Sequence, residues 1–63
     1  MTLLFVTANY EMCIPNAGSV HMAILRFRKV HKDDKIDNVY MLSKDESGQE
    51  IKTPVEDWEK EDY

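Results

Sequence analysis

The chain has 63 residues and a net charge of −4, and 43% of its residues are hydrophobic. This length allows one small domain, and the composition is typical of a folded chain rather than a disordered one. With Cys13 as its single cysteine the chain cannot form an internal disulfide, and no apolar run is long enough for a signal peptide or a membrane span, so we expect a cytoplasmic protein that does not enter membranes.

The first predicted element is a half-buried strand over residues 3–14. Hydrophobic and polar residues alternate there with the period of two that a strand shows when one side faces a core. We therefore expect Thr7, Asn9 and Glu11 to face solvent. The predicted core side carries Leu4, Val6, Ala8, Tyr10, Met12 and Ile14.

Residues 19–31 follow a predicted turn at residues 15–18 and allow two interpretations. We favour a second strand that folds back on the first, because the resulting register separates apolar from polar side chains. The alternative is a helix over residues 20–31 that begins with Ser19 as its cap. The apolar face of that helix would consist of Val20, Ala23, Ile24, Phe27 and Val30.

A β-hairpin is predicted in the second half of the chain. Residues 39–43 and 49–53 have strand character, and Asp45-Glu46-Ser47-Gly48 between them is a typical hairpin loop with a glycine for its left-handed position. In the predicted register Leu42 lies opposite Ile51, and both side chains point into the core.

A short acidic helix is predicted to follow this hairpin. Thr53 can cap it, Pro54 suits the first helical position, and Glu56 completes a capping box. A helix of about ten residues is marginal by itself, so it needs docking on the core. Val55 and Trp58, three residues apart on one face, would provide that contact.

These elements predict a mainly β fold with a short C-terminal helix, built as a small four-stranded antiparallel meander or open barrel. The alternative is an α+β fold with the order β-α-β-β-α, which applies if residues 20–31 are helical. Residues 1–53 would form the β-rich core, and residues 54–63 would form an acidic C-terminal helix or tail of the same domain.

No motif in the sequence indicates catalysis, a cofactor or a metal site. Cys13 and His21 are the one nucleophile and base that the predicted sheet brings near each other, and they fall on opposite faces. His21 and His31 lack the spacing of a standard metal site. We therefore predict a protein that is not an enzyme and that has no metal and no cofactor.

The charge is divided unevenly along the chain, and this is the main clue to function. Residues 1–32 carry four basic residues and one acid, whereas residues 33–63 carry four basic residues and eleven acids. The acids are most concentrated at the C-terminal end, around two aromatic residues, and aromatic anchors within a charged rim are typical of an interface. The residues predicted to bind a partner are Glu56, Asp57, Trp58, Glu59, Glu61, Asp62 and Tyr63.

We interpret the chain as a small non-enzymatic regulatory or inhibitory protein that binds another protein with a basic surface. An acidic surface of this kind can act as a DNA mimic, and small acidic chains are common among the accessory factors of viruses and mobile elements. An open sheet also has two free strand edges, through which copies of the chain could pair into a homo-oligomer.

The alternative function is nucleic-acid binding through the basic segment 26–32. Cations beside an aromatic ring can bind phosphate groups while the ring stacks on a base. The net charge of −4 and the small number of cations argue against it. The residues that would carry this function are Arg26, Phe27, Arg28, Lys29 and Lys32.

Overall fold

The computed structural model describes residues 1–56 and residue 58. These residues form four strands and one α-helix in the order β1 (Thr2–Thr7), β2 (Glu11–Ile14), α1 (Val20–Val30), β3 (Ile36–Lys44) and β4 (Glu50–Pro54). The strands form one antiparallel sheet in the order β2-β1-β3-β4, and the sheet stays open. The predicted mainly β fold with a four-stranded antiparallel sheet is therefore confirmed.

Residues 3–14 form a hairpin, not the single predicted strand. The side chain of Thr7 shapes the turn, because its Oγ1 accepts hydrogen bonds from the backbone N–H groups of Asn9 (3.3 Å) and Tyr10 (3.1 Å). The same hydroxyl donates to the carbonyl oxygen of Tyr10, at 3.0 Å. The chain reverses at these bonds, so β2 pairs back on β1.

The buried side of β1 is the reverse of the predicted one. Leu3 and Phe5 have no exposed surface and Thr7 is 9% exposed, whereas Leu4 and Val6 are half-buried on the other side. The first half of this strand is apolar on both sides, so the alternation by itself could not tell which side faces the core.

Residues 19–31 contain a helix, so the favoured strand is wrong and the helical interpretation of these residues is confirmed. Two strands precede this helix, instead of the single strand in the predicted order β-α-β-β-α, because residues 3–14 form a hairpin. Ser19 caps α1 by accepting a hydrogen bond from the backbone N–H of Met22 at 3.1 Å. The favoured strand register left Ile24 on the face opposite Phe27, whereas helical spacing places both on the face that covers the sheet. Val30 departs from this pattern and is 74% exposed. The buried residues of α1 are Ala23, Ile24 and Phe27.

The core lies between α1 and one face of the sheet. Because β2 and β3 are both antiparallel to β1 and flank it, they are parallel to each other, and α1 connects them by crossing over β1. This path places Phe27 against Phe5, with the ring centroids 5.3 Å apart in an edge-to-face arrangement. The buried apolar residues are Leu3, Phe5, Ala17, Ala23, Ile24, Phe27, Ile36 and Val39.

The predicted β3–β4 hairpin is confirmed. Gly48 has a φ of 85°, the left-handed conformation that its loop position requires. Asp45 Oδ1 accepts hydrogen bonds from the Ser47 hydroxyl at 2.6 Å and from the backbone N–H groups of Ser47 and Gln49, both at 2.9 Å. These bonds, that of the Ser47 hydroxyl first, hold the pKa of Asp45 below its usual value.

The register of this hairpin differs by one residue from the prediction. Leu42 lies opposite Lys52, and Ser43 lies opposite Ile51. Because side chains alternate along a strand, this shift of one residue places Leu42 and Ile51 on opposite faces of the sheet. Leu42 therefore points away from α1, and Ile51 is 41% exposed instead of buried.

No helix begins at Thr53 or Pro54, where the capping signal places the start of one. Thr53 and Pro54 are the last residues of β4, and the N–H of Val55 still donates to the carbonyl oxygen of Val39, at 2.9 Å. Pairing with β3 therefore outweighs the local helix signal at these residues. Val55 and Trp58 are half-buried and pack against the core, as predicted. The other predicted partner-binding residues lie outside the described part of the chain, except for the exposed Glu56; they are Asp57, Glu59, Glu61, Asp62 and Tyr63.

Candidate functional site

The sheet has one face under α1 and an opposite face on which no other described helix or strand packs. We name the latter the open face. Its residues follow from the strand register, because side chains alternate along each strand and residues that pair directly share a face. The open face consists of Thr2, Leu4, Val6, Glu11, Cys13, Asn38, Tyr40, Leu42, Lys44, Glu50, Lys52 and Pro54.

Four apolar side chains form a patch at the centre of the open face. Leu4 and Val6 lie on β1, Tyr40 and Leu42 lie on the neighbouring β3, and Leu4 is directly opposite Tyr40. All four are half-buried. Paired side chains on one face of a sheet lie about 5 Å apart, so these four form one continuous surface, the apolar patch.

Charged side chains surround the apolar patch. Glu11 on the β2 edge and Lys52 on the β4 edge occupy diagonally opposite corners, and Lys44 pairs with Glu50 at the end nearest the β3–β4 loop. The Nζ atom of Lys52 lies 4.8 Å from the centroid of the Tyr40 ring, which is a cation–π contact. Two acids and two bases leave this face without net charge, so the −4 of the chain resides elsewhere.

Two apolar runs in the sequence indicate the open face, and neither of the two predicted binding segments includes them. Residues 3–6 and 39–42 are continuous apolar runs, not alternating ones. Such runs are typical of strands that are covered on both faces. They fall on β1 and β3, the two central strands, and within the described part of the chain only the face under α1 is covered by another helix or strand.

The sheet separates Cys13 from His21, the nucleophile and base to which the sequence assigns no catalytic role. Cys13 is exposed on the open face of β2, whereas His21 lies on α1, which covers the opposite face. Within residues 1–56 and at residue 58, no three His, Cys, Asp or Glu side chains are grouped so that they could hold a metal ion.

The basic segment 26–32 does not present the arrangement that base stacking needs. The ring of Phe27 is 3% exposed and belongs to the core. Arg26, Lys29 and Lys32 are exposed, and Arg28 is half-buried. The segment therefore offers cations for phosphate contacts, without an accessible aromatic ring among them.

A polar cluster that the sequence did not indicate lies where the β1–β2 turn, the end of α1 and the segment before β3 meet. The hydroxyl of Tyr10 donates to Asp34 Oδ2 at 2.5 Å, and His31 Nδ1 lies 3.4 Å from the same oxygen. The His31 ring stacks on Phe27, with the centroids 4.8 Å apart. Tyr10 is distant in sequence from His31 and Asp34, so its proximity to them is a property of the tertiary fold, and these contacts connect the β1–β2 turn to the segment that follows α1.

The cluster gives the protein a pH-dependent stability in the alkaline range. Donation to the Asp34 carboxylate raises the pKa of Tyr10 to about 12, and burial and the charge of Asp34 add to the effect. A raised folded-state pKa means that the neutral phenol stabilises the fold, so this contribution is complete below about pH 10 and is lost as the pH rises through about 12. We expect an ultraviolet titration to show one of the three tyrosines ionising near pH 12.

The Tyr10→Phe variant should lack this late ionisation and the stability loss that accompanies it. Tyr40→Phe is the matched control, because it removes a tyrosine that is not hydrogen-bonded to Asp34 and should leave the late step in place. Persistence of the step in Tyr10→Phe would contradict the assignment.

Comparison of the chain with models of protein families, with curated proteins and with solved structures found no match. No helix in the described part of the chain has the length and apolarity that a membrane span requires. The described residues form two layers, one helix on an open antiparallel sheet, and the candidate site is the open face of that sheet.

Proposed function

We propose that this protein is a non-enzymatic regulator that binds another protein through its acidic C-terminal segment, residues 56–63. This segment holds five of the twelve acids and one base, so the partner would present a basic surface. The observation that carries the proposal is the position of Trp58, which is half-buried against the core together with Val55.

The contact of Trp58 with the core attaches the acidic segment to the rest of the domain at a fixed point. β4 ends at Pro54, and the backbone N–H of Val55 donates a hydrogen bond to the carbonyl oxygen of Val39. Trp58 packs on the core that α1 covers. A binding segment that starts from a fixed point loses less conformational freedom on binding than a free tail does. Its negative charges also speed the encounter with a basic surface.

The chemistry of the partner follows from this charge. A protein that binds nucleic acid carries a basic surface that recognises regularly spaced negative charges. Occupation of that surface by the acidic segment would exclude the nucleic acid, which is how an acidic protein acts as a DNA mimic and an inhibitor.

The test compares the unmodified chain with two full-length variants of equal charge change. The reversal variant replaces three acids of the segment by Lys, namely Glu59, Glu61 and Asp62. The control variant replaces three exposed acids elsewhere by Lys, namely Asp33, Asp37 and Glu46. Because both variants gain the same positive charge, any difference between them reports the location of the acids and not their total number.

We expect the unmodified chain and the control to retain the same protein from a nuclease-treated lysate, and the reversal variant to lose it. With the purified partner at low salt, the reversal should slow association about tenfold or more and flatten its salt dependence. Equal slowing by both variants would show that only the total charge matters. Unchanged association in the reversal variant would remove the acidic segment as the contact.

A further inference from the structure

We propose that the open face is the interface of a symmetric dimer and that its occupant is a second copy of this chain. This inference goes beyond the proposed function and uses a different surface, because Val55 and Trp58 pack on the core on the α1 side of the sheet. Four observations carry it: the apolar runs of the central strands, the composition of the face, its charge arrangement and its size.

The two central strands, β1 and β3, have the composition of strands that are buried on both faces of a sheet. On β1, Leu3 and Phe5 are fully buried under α1, and Leu4 and Val6 between and beside them are equally apolar yet only half-buried. Burial of an apolar side chain that is now in contact with water is favourable. A second layer over the open face would therefore stabilise the fold.

The composition of the open face is that of an interface. The apolar patch lies at its centre, and the charged residues lie at its corners and at one end. An apolar centre within a polar rim is the usual anatomy of a protein–protein contact. Because the face carries no net charge, two copies can approach through it even though each chain is negative overall.

The charges of the open face become complementary when it meets itself. Glu11 and Lys52 lie at opposite ends of a diagonal, and the Leu4–Tyr40 pair lies at the midpoint of that diagonal. A two-fold axis that passes over this midpoint, in the plane between the two sheets and perpendicular to the diagonal, places Glu11 of each copy over Lys52 of the other. The sheets then cross at nearly a right angle, which is one of the two common ways in which sheets pack.

A second copy suits this face better than the C-terminal residues of the same chain. Four of the five residues 59–63 are charged, so they offer little apolar surface to cover the patch. They also follow Trp58, whose side chain packs on the core that α1 covers.

The size of the open face sets the expected strength. Four strands about 4.8 Å apart and about five residues along each strand give a flat area of roughly 300 Å² per copy. Stable dimers bury about 800 Å² per partner, so this dimer should be weak and should depend on concentration. We expect a dissociation constant of roughly 10 to 500 μM.

The first experiment is sedimentation velocity of the full chain under reducing conditions, from about 10 μM to about 1 mM, a range that spans this constant. We expect a monomer that converts to a dimer as the concentration rises. Leu42→Glu places a charge in the apolar patch and should weaken association at least tenfold. The matched control is Val30→Glu, which makes the same kind of change at a 74% exposed residue of α1 and should leave association unchanged.

A charge exchange tests the proposed two-fold arrangement. Glu11→Lys and Lys52→Glu should each weaken the dimer several-fold, because each places like charges over one another. The double variant restores opposite charges and should return the dissociation constant to within about threefold of the original. These residues lie at the rim of an exposed surface, so the variants remain folded, which circular dichroism at low concentration verifies.

A chain that stays monomeric up to about 1 mM overturns the proposal. So does a dimer that survives Leu42→Glu, which would place the contact at a strand edge instead, and so does a double variant as weak as the single ones. No partner protein is present in these measurements and residues 59–62 are unaltered. Failure of the dimer and failure of the proposed function are therefore separate results.

Discussion

The Phe5→Ala variant is expected to lose a large part of the free energy of unfolding at 25 °C, and at the lower limit of stability all of it. Phe5 has no exposed surface, and its ring packs edge-to-face on Phe27 at a centroid distance of 5.3 Å. Removal of a buried Phe side chain costs about 3–5 kcal/mol, because burial is lost and a cavity remains. A domain of this length has a free energy of unfolding of about 3–9 kcal/mol, so the loss is of the same size as the total.

Urea unfolding followed by far-ultraviolet circular dichroism measures this effect. Phe5→Leu is the matched variant, since it keeps most of the apolar volume and should cost about 1–1.5 kcal/mol. A loss below about 1 kcal/mol in Phe5→Ala would mean that the space between β1 and α1 is not closely packed at this point.

The Thr7→Val variant is expected to lose about 1–3 kcal/mol, although the two side chains have nearly the same shape. The Thr7 hydroxyl accepts from the N–H groups of Asn9 and Tyr10 and donates to the carbonyl oxygen of Tyr10. Valine supplies none of these bonds and leaves backbone groups of a part-buried turn without their partner.

Thr7→Ser separates the hydroxyl from the methyl group. Serine keeps all three hydrogen bonds and removes one methyl, so it should cost about 1 kcal/mol and less than valine does. Unfolding curves of the two variants decide the point. Greater stability of Thr7→Val than of Thr7→Ser would show that packing, and not the hydroxyl, holds the β1–β2 turn.

The two proposed surfaces are compatible with each other. The open face lies on one side of the sheet, and Val55 and Trp58 pack on the side that α1 covers. A dimer through the open face would therefore not cover Val55 and Trp58. A partner with a repeated basic surface could then bind two segments at once, and its apparent affinity would rise through the high effective concentration of the second.

Local signals in the sequence determined several elements of this fold. Asp45 and Gly48 specify the β3–β4 loop, because one carboxylate accepts from the backbone of the loop and one residue adopts a positive φ. Ser19 specifies the start of α1 in the same local way. Val55 and Trp58 were predicted to dock on the core from their spacing, and they do. Each of these features depends on residues within a few positions of one another, so the sequence contains the information they require.

Choices between competing signals were decided by the tertiary structure. Residues 19–31 fit a strand and a helix about equally well, and the helix forms because it can cover the buried side of β1. Thr53 and Pro54 carry a helix-start signal, yet they extend β4, because they pair with Met41 and Tyr40 of β3.

The candidate surfaces divide in the same way. Composition alone located the acidic segment, since charge is counted along the chain. The open face required the register of all four strands, because a shift of one residue exchanges the two faces of a sheet and the pattern of β1 is apolar on both. The Tyr10–Asp34 hydrogen bond joins residues 24 positions apart, and only the path of the chain brings them together.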